Sequence, residues 1–144
     1  MPVVSYASLS ASPPLVGVSC DPRAFTYIMI AKAGIFSLCF LDRKHLSAVE
    51  FLATHSGRIS ADKLADSGLG HHNGTRLDVP VITESVASLE CALVAKKKFG
   101  DHVLVVGEVE AARASADFGE YWRFNTYRPI LYAGWQGRLS TFRS

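Results

Sequence analysis

Residues that could bind a phosphate lie close together in the segment 20–27, Cys-Asp-Pro-Arg-Ala-Phe-Thr-Tyr. The pattern predicts that a strand ends and a helix begins there, with Arg23 and Thr26 three residues apart in the first turn. A guanidinium, a hydroxyl and the free N–H groups of a helix N-terminus can converge on one anion. The same residues also suit an ordinary junction between strand and helix, with Asp21 as the cap and Arg23 in solvent. The spacing alone favours the ordinary junction.

A second segment with two interpretations precedes this one, at residues 5–10, Ser-Tyr-Ala-Ser-Leu-Ser. Small side chains with hydroxyl groups leave the backbone open to a flat ligand. The same side chains also make a tolerable edge strand of a sheet. The residue types by themselves do not choose between a ligand site and a sheet edge.

Other patterns that could carry chemistry are weak. His71 and His72 could offer nitrogens to a metal, but no cysteine or carboxylate stands at the spacing of a zinc finger or a zinc protease. His45 and His55 fall on one predicted helix, too far apart along its axis to share an ion, and are expected at the surface. We therefore predict no metal site. The chain has no Gly-x-Ser-x-Gly elbow, Gly-x-Gly-x-x-Gly loop or Walker loop, which argues against a hydrolase, a doubly wound dinucleotide-binding fold and an NTPase.

The composition is that of one folded domain over residues 1–144. With 144 residues, 49% of them hydrophobic and 19% charged, the chain can bury a sizeable core. The net charge of +2 comes without a basic stripe, so nucleic acid is not an expected partner. Three widely spaced cysteines indicate a reducing compartment, and we expect a cytoplasmic protein. No secretory leader is recognised, and Lys32 and Gly34 interrupt the most apolar stretch, residues 24–41, which argues against a membrane span.

The elements that would position these groups are mainly strands. Periodicity and turn residues predict helices at residues 24–32, from 46 to an end at 56–57, and at 60–66, a turn at 134–137, and strands at 3–10, 15–20, 35–41, 89–95, 102–109 and 129–132. Gly34 is expected to end the first helix, Gly100 and Asp101 to form a hairpin turn, and the glycine-rich residues 68–78 to form a surface loop. Strands that cluster, instead of alternating with helices, predict an antiparallel sheet closed into a small barrel.

Several motifs occur in one order along the chain. The first are Met-Pro-Val-Val-Ser-Tyr-Ala-Ser-Leu-Ser at residues 1–10, Pro-Pro-Leu-Val-Gly-Val-Ser at 13–19 and Arg-Ala-Phe-Thr-Tyr at 23–27. Others follow at residues 33–36, 56–58, 62–64, 79–82, 89–91, 100–102, 106–109 and 129–132, with Gly134 after them. Together they resemble the flavin reductase-like family of FMN-binding split-barrel proteins, in particular its prokaryotic, archaeal-type branch. Each motif is weak alone, but the collinear set covers nearly the whole chain.

The resemblance implies a mainly β fold, an antiparallel split β-barrel of Greek-key type with a few short helices. Family members usually have another strand before the Met-Pro segment, and this sequence allows a barrel that lacks it. Two further departures from the family pattern concern positions where local contacts with the ligand are expected. Cys39 stands where an asparagine is common, and Ile59 replaces the acidic residue that often follows Ser-Gly-Arg.

The resemblance also implies a flavin, FMN or sometimes FAD, held at a homodimer interface. The residues implied along the edge of the isoalloxazine ring are Ser5, Tyr6, Ala7, Ser8, Leu9 and Ser10. Those implied around the phosphate and the ribityl chain are Cys20, Arg23, Thr26 and Tyr27, with Lys63 as a further cation. His102 is implied as the catalytic residue, where it would face the nicotinamide or the acceptor and position it or relay a proton. The alternative for His102 is a strand-edge histidine hydrogen-bonded to Asp101.

The implied function is an NAD(P)H-dependent flavin oxidoreductase. Hydride would pass from NADH or NADPH to the flavin, and electrons would then pass to an unknown acceptor, for example a monooxygenase partner. The alternative is a flavin-binding electron carrier with little NAD(P)H activity. A nucleic-acid-binding barrel is disfavoured, because the chain has no basic groove with interleaved aromatic residues.

Two remaining groups also have two interpretations each. Lys96, Lys97 and Lys98 are expected to form a solvated face at a hairpin end, with attraction of a dinucleotide pyrophosphate as the alternative. Aromatic residues near the C-terminus could line a subunit interface, cover the flavin or pack inside the barrel. They are Tyr121, Trp122, Tyr127, Tyr132 and Trp135.

Overall fold

A computed structural model describes residues 1–60, 62–116, 127–132 and 139–141. The strands within these residues are β1 (Tyr6–Ala11), β2 (Pro14–Cys20), β3 (Ile35–Phe40), β4 (His71–Asn73), β5 (Pro80–Ile82), β6 (Ala87–Phe99), β7 (His102–Ala114), β8 (Ile130–Tyr132) and β9 (Leu139–Thr141). The helices are α1 (Phe25–Ala33), α2 (Leu46–Thr54) and α3 (Lys63–Asp66), with one 3₁₀ turn at Arg43–His45.

Five of these strands form one antiparallel sheet in the order β1-β2-β7-β6-β3. Two smaller antiparallel sheets pair β4 with β5 and β8 with β9. The strands β6 and β7 form a long hairpin that turns at Gly100, where a φ of 58° suits glycine. The prediction of a mainly β, antiparallel fold with a few short helices is confirmed.

The two edges of the five-stranded sheet, β1 and β3, come together. The Tyr6 ring in β1 lies edge-on against the Phe40 ring in β3, with the ring centroids 5.2 Å apart. Among the described strands, no backbone ladder joins β1 to β3. The sheet therefore curls until its edges meet through side chains rather than through backbone hydrogen bonds, which is the form of a split barrel.

The apolar core lies inside the curled sheet. Alternate residues of β2, namely Val16, Val18 and Cys20, are 5%, 4% and 1% exposed, and Val103 and Val105 of β7 lie beside them. This alternation is the two-residue period of a strand with one buried face. Each fully buried aliphatic side chain of this kind contributes roughly 1.5–3 kcal/mol to folding.

The Phe36 ring fills the centre of the core by lying directly on the backbone of Gly107 in β7. A Cβ atom at Gly107 would be 2.6 Å from Phe36 Cζ and 2.8 Å from the Cβ of Cys91. Only a residue without a side chain lets ring and strand approach so closely. Gly107 is therefore a packing requirement of the barrel.

Helix α1 ends where the sequence predicts and begins later than predicted. Gly34 has a φ of 73°, and its N–H donates to the Ile30 carbonyl at 2.9 Å, which confirms it as the helix stop. At the other end the prediction is wrong: Asp21 is not the cap, and Arg23 precedes the helix. The Asp21 carboxylate accepts the N–H of Arg23 at 2.8 Å, which closes a local turn, so that the helix starts at Phe25.

The prediction of a loop over residues 68–78 is wrong in part, because β4 lies inside it. Residues His71–Asn73 pair in register with Pro80–Ile82, and the cross-strand hydrogen bonds outweigh the weak strand propensity of the segment. The backbone of residues 75–77 is held in place by one buried carboxylate, that of Glu90, which is 2% exposed. It accepts the N–H groups of Thr75, Arg76 and Leu77 at 2.7–2.9 Å and the Thr75 hydroxyl at 2.9 Å.

Other boundaries also differ from the prediction. His45 and His55 flank α2 instead of lying within it. His55 is exposed, and His45 is half-buried, with an Nε2 atom that has no hydrogen-bond partner among the described residues. Helix α3 starts at Lys63 rather than residue 60, because the Asp62 side chain caps it by accepting the Ala65 N–H. The predicted turn at 134–137 and the side chains of Tyr121, Trp122, Tyr132 and Trp135 lie outside the described residues.

Three findings concern the compartment and metal predictions. The cysteines Cys20, Cys39 and Cys91 are free thiols. In the part of the chain that the structure describes, none of the helices combines the length and the apolar character that a membrane crossing requires. The same part contains no cluster of three or more His, Cys, Asp or Glu side chains arranged for a metal ion.

Candidate functional site

The N-terminus of α1 is open to an anion. Its cap residue, Ala24, has extended backbone and no side chain that accepts a helix N–H. Thr26 and Tyr27 lie in the first turn, whose N–H groups have no partner within the helix. The helix dipole adds a partial positive charge at this end. An anion placed here would replace the missing cap.

Cationic side chains surround this helix end. The Arg58 guanidinium lies 5.5 Å from the centroid of the Phe25 ring, and its Nη2 donates to the Arg23 carbonyl at 3.4 Å. The Lys63 stem lies near the Phe25 ring, since a Cβ on Gly57 would be 3.2 Å from that ring and 4.0 Å from Lys63 Cδ, but its charged end is bonded to α2. The Lys63 Nζ donates to the Leu52 carbonyl at 2.6 Å, and burial lowers the pKa of Lys63.

Arg58 was not among the predicted site residues. The only signal for it in the sequence was its place in the Ser-Gly-Arg motif at residues 56–58. Residue type and spacing could not reveal it, because α2 and β3 separate it from α1 along the chain and only the fold brings its guanidinium onto Phe25. It supplies a positive charge that does not depend on Arg23.

Arg23 lies at the helix end but is engaged with Asp21. Its guanidinium donates three hydrogen bonds to the Asp21 carboxylate at 2.8–3.2 Å, and its side chain is 88% exposed. The Arg23 hydrogen bonds lower the pKa of Asp21 to about 2. A ligand phosphate would therefore compete with Asp21 for the guanidinium.

Cys20, the first residue of the predicted phosphate segment, has its side chain in the core. The thiol is 1% exposed, and burial raises its pKa. Only the backbone of Cys20 faces the junction before α1. The other predicted members, Thr26 and Tyr27, are half-buried in the first helical turn.

Strand β1 begins beside this helix end and runs away from it. The Ser5 carbonyl accepts the N–H of Ser19, directly before the junction. The next residues alternate between two faces of the strand. Ala7 and Leu9 face outward, where Leu9 Cδ1 would be 2.9 Å from a Cβ on Gly17. Tyr6, Ser8 and Ser10 face a groove of about 170 Å³, which is otherwise lined by Pro14, Leu15, Val16, Phe40, Leu89 and Val109.

His102 lies at the same end of the sheet as the α1 N-terminus. It precedes Val103, which pairs with Cys20. Its Nδ1 donates to Asp101 Oδ1 at 2.8 Å, and its side chain is 49% exposed. The groove is at the other end of β7, where Val109 is seven residues and roughly 23 Å away along the strand. The structure thus brings His102 near Asp21 and Arg23 and separates it from the groove.

The arrangement combines one anion-binding end with an open strand edge. Arg23, Thr26 and Tyr27 lie at the junction between β2 and α1, next to Ser5, the start of the predicted ring segment. Of the predicted ring segment, Ser5 lies at this junction, and Tyr6, Ser8 and Ser10 continue along β1 to the groove.

Comparison with known proteins gives consistent results. A family model described as a flavin reductase like domain matches residues 1–134. An uncharacterized protein of Aeropyrum pernix is 35% identical over 130 residues, which are 90% of this chain and 49% of that protein. An NADH-dependent FAD reductase of Streptomyces globisporus is 32% identical over 110 residues, which are 75% of this chain and 58% of the relative. The chain thus spans about half the length of these curated relatives.

Similarity to a solved structure extends the match to three dimensions. The crystal structure of an FMN-binding protein from Thermus thermophilus with bound p-hydroxybenzaldehyde is 33% identical in sequence and superposes with a TM-score of 0.81. The match covers 97% of this chain and 75% of that protein. With the family match over residues 1–134, the split sheet and the archaeal relatives, the chain belongs to the flavin reductase-like domain family.

Proposed function

We propose that residues 1–144 form a single flavin-binding domain that reduces FMN with NADH or NADPH as the hydride donor. The observation that carries the proposal is the uncapped N-terminus of α1, with Arg23 and Arg58 beside it and the start of β1 next to it. The phosphate would bind the helix N–H groups, Thr26 and the cations, and the ring would lie along residues 5–10. FMN is favoured because the matched Thermus thermophilus structure is that of an FMN-binding protein, with FAD as the alternative.

The residues of this chain would bind the flavin and the nicotinamide, orient them and stabilise charge on the flavin. The flavin, when bound, would supply the hydride-accepting chemistry itself. The backbone N–H groups and hydroxyls of β1 would stabilise negative charge on the ring edge. His102 would position the nicotinamide. The hydrogen bond to Asp101 holds Nδ1 as the donor and leaves Nε2 for a ligand.

The assembly and the acceptor are parts of the same proposal. We further propose that the protein is a cytoplasmic homodimer that holds the flavin between its subunits, as the family resemblance implies. The reductase component of a 4-nitrophenol monooxygenase from Rhodococcus opacus is 30% identical over 137 residues, 93% of this chain. A monooxygenase that takes up reduced flavin is therefore the proposed class of electron acceptor.

An anaerobic titration tests the reaction. NADH or NADPH added to the FMN-loaded protein without oxygen is expected to bleach the visible absorbance of the flavin, because the nicotinamide reaches the bound ring. Dithionite, which needs no nucleotide site, serves as the control and should bleach the same sample. If dithionite reduces the flavin and both nucleotides fail, the reductase proposal is wrong and the electron-carrier alternative replaces it.

A further inference from the structure

The far end of the β6–β7 hairpin extends past the rest of the sheet. Strand β3 pairs with β6 only as far as Ala92, opposite Ile35. Beyond it, residues 94–99 of β6 are exposed and pair with β7 alone among the described strands. This stretch includes the three consecutive lysines and ends at Phe99.

The lysines are divided between the two faces of the hairpin. In an antiparallel pair, residues directly opposite each other share a face. Lys97 lies opposite Leu104, and Phe99 lies opposite His102. Lys96 and Lys98 lie opposite Val105 and Val103, on the face that continues into the core. Only Lys97 therefore shares a face with Phe99 and His102.

This face combines an open aromatic ring with a cation. Phe99 is 55% exposed, so the face of its ring is open to a ligand. The Lys97 Nζ lies 5.3 Å from the centroid of its ring. The nearby charges are those of Asp101, which is paired with His102, and of Arg23 and Asp21, which pair with each other. The anionic partners are thus occupied, and Lys97 has no acidic partner among the described residues.

We propose that this face binds the adenosine diphosphate half of a nicotinamide dinucleotide. The adenine would stack on Phe99, and the pyrophosphate would bind the Lys97 ammonium. His102 continues the same face toward the junction between β2 and α1, where Ser5 begins the segment proposed to hold the flavin ring and where the nicotinamide half would reach that ring. The inference rests on the proposed function. It gives a binding site to the adenosine diphosphate half of the donor, which takes no part in hydride transfer. Charge complementarity and the exposed ring favour a dinucleotide over an acidic protein strand.

The test uses ADP-ribose, which carries the adenosine and pyrophosphate without any redox chemistry. Calorimetric titration of the FMN-loaded wild-type chain is expected to show binding, weakened about tenfold or more in Lys97→Met and in Phe99→Leu. Lys96→Met and Lys98→Met, equally exposed on the opposite face, are the matched controls and should bind like the wild type. A wild type that ignores ADP-ribose, or controls that lose as much as Lys97→Met, would overturn the proposal.

Kinetics with two donors separate this proposal from the proposed function. Lys97→Met and Phe99→Leu should raise the KM for NADH about tenfold and leave that for reduced nicotinamide mononucleotide, which lacks the adenosine, unchanged. Equal losses with both donors would contradict the assignment. A wild type that binds ADP-ribose but whose flavin neither donor reduces would contradict the reductase function alone.

Discussion

The Glu90→Gln variant is expected to lose about 3 kcal/mol of unfolding free energy. The Glu90 carboxylate is 2% exposed, and its two oxygens accept four hydrogen bonds from Thr75, Arg76 and Leu77. An amide would replace one oxygen by a donor and leave two buried donors facing it. Urea unfolding followed by circular dichroism measures the loss. Glu110→Gln, exposed on the neighbouring strand β7, is the matched control and should change stability by less than about 0.5 kcal/mol.

The effect of Glu90→Gln should also depend on pH. Burial acts to raise the pKa of Glu90, but the hydrogen bonds from Thr75, Arg76 and Leu77 outweigh it and lower the pKa from 4.5 to about 2. A depressed folded pKa contributes stability above pH 4.5, which is lost as the pH falls toward 2. The stability difference between wild type and variant should therefore be full at pH 7 and shrink below pH 4.5. A difference that stays constant down to pH 2.5, or is absent at pH 7, would show that the carboxylate does not hold the 74–77 segment.

Two substitutions at the α1 junction are expected to change FMN affinity in opposite directions. Arg23→Ala should weaken binding about 10- to 100-fold, because it removes a charge-assisted hydrogen bond to phosphate. Asp21→Asn should strengthen binding up to about fivefold, because the carboxylate that now holds the Arg23 guanidinium at 2.8 Å competes with the phosphate. Quenching of flavin fluorescence on titration measures both.

The same titration contains its own controls. Arg113→Ala removes an exposed arginine at the end of β7 far from His102 and the α1 junction, and should leave FMN affinity unchanged. Riboflavin, which has no phosphate, should bind the wild type and Arg23→Ala equally. If Arg23→Ala weakens riboflavin and FMN alike, Arg23 supports the fold around the site rather than the phosphate, and Arg58 becomes the principal cation.

Local signals in the sequence predicted much of the fold correctly. Gly34 needs only its own backbone freedom to stop α1, and the Gly100 turn and the alternating valines of β2 and β7 are equally local. The features that failed depend on distant residues. Strand β4 forms only against β5, and the segment after β4 takes its shape from Glu90, which lies thirteen or more residues later in the chain.

In the candidate site, too, some residues could be predicted from local motifs and others only from tertiary contacts. Residues 5–10 and 23–27 were predicted from contiguous motifs, and the structure brings Ser5 to residues 23–27 at the junction between β2 and α1, while residues 6–10 run away from it. Two features required tertiary contacts. Arg58 reaches this junction only through its packing on Phe25, and the Cys20 thiol turns into the core because β2 alternates. Lys97 and Lys96 look alike in sequence and are distinguished only by the strand register.

The most direct measurement of the central claim compares FMN with riboflavin as ligands of the wild-type chain, by fluorescence titration and by co-elution on gel filtration. Because the claim rests on the N-terminus of α1 as a phosphate site, FMN should bind at one per chain and at least about tenfold more tightly than riboflavin. Equal affinity for the two flavins, or a colourless protein that binds neither, would contradict it.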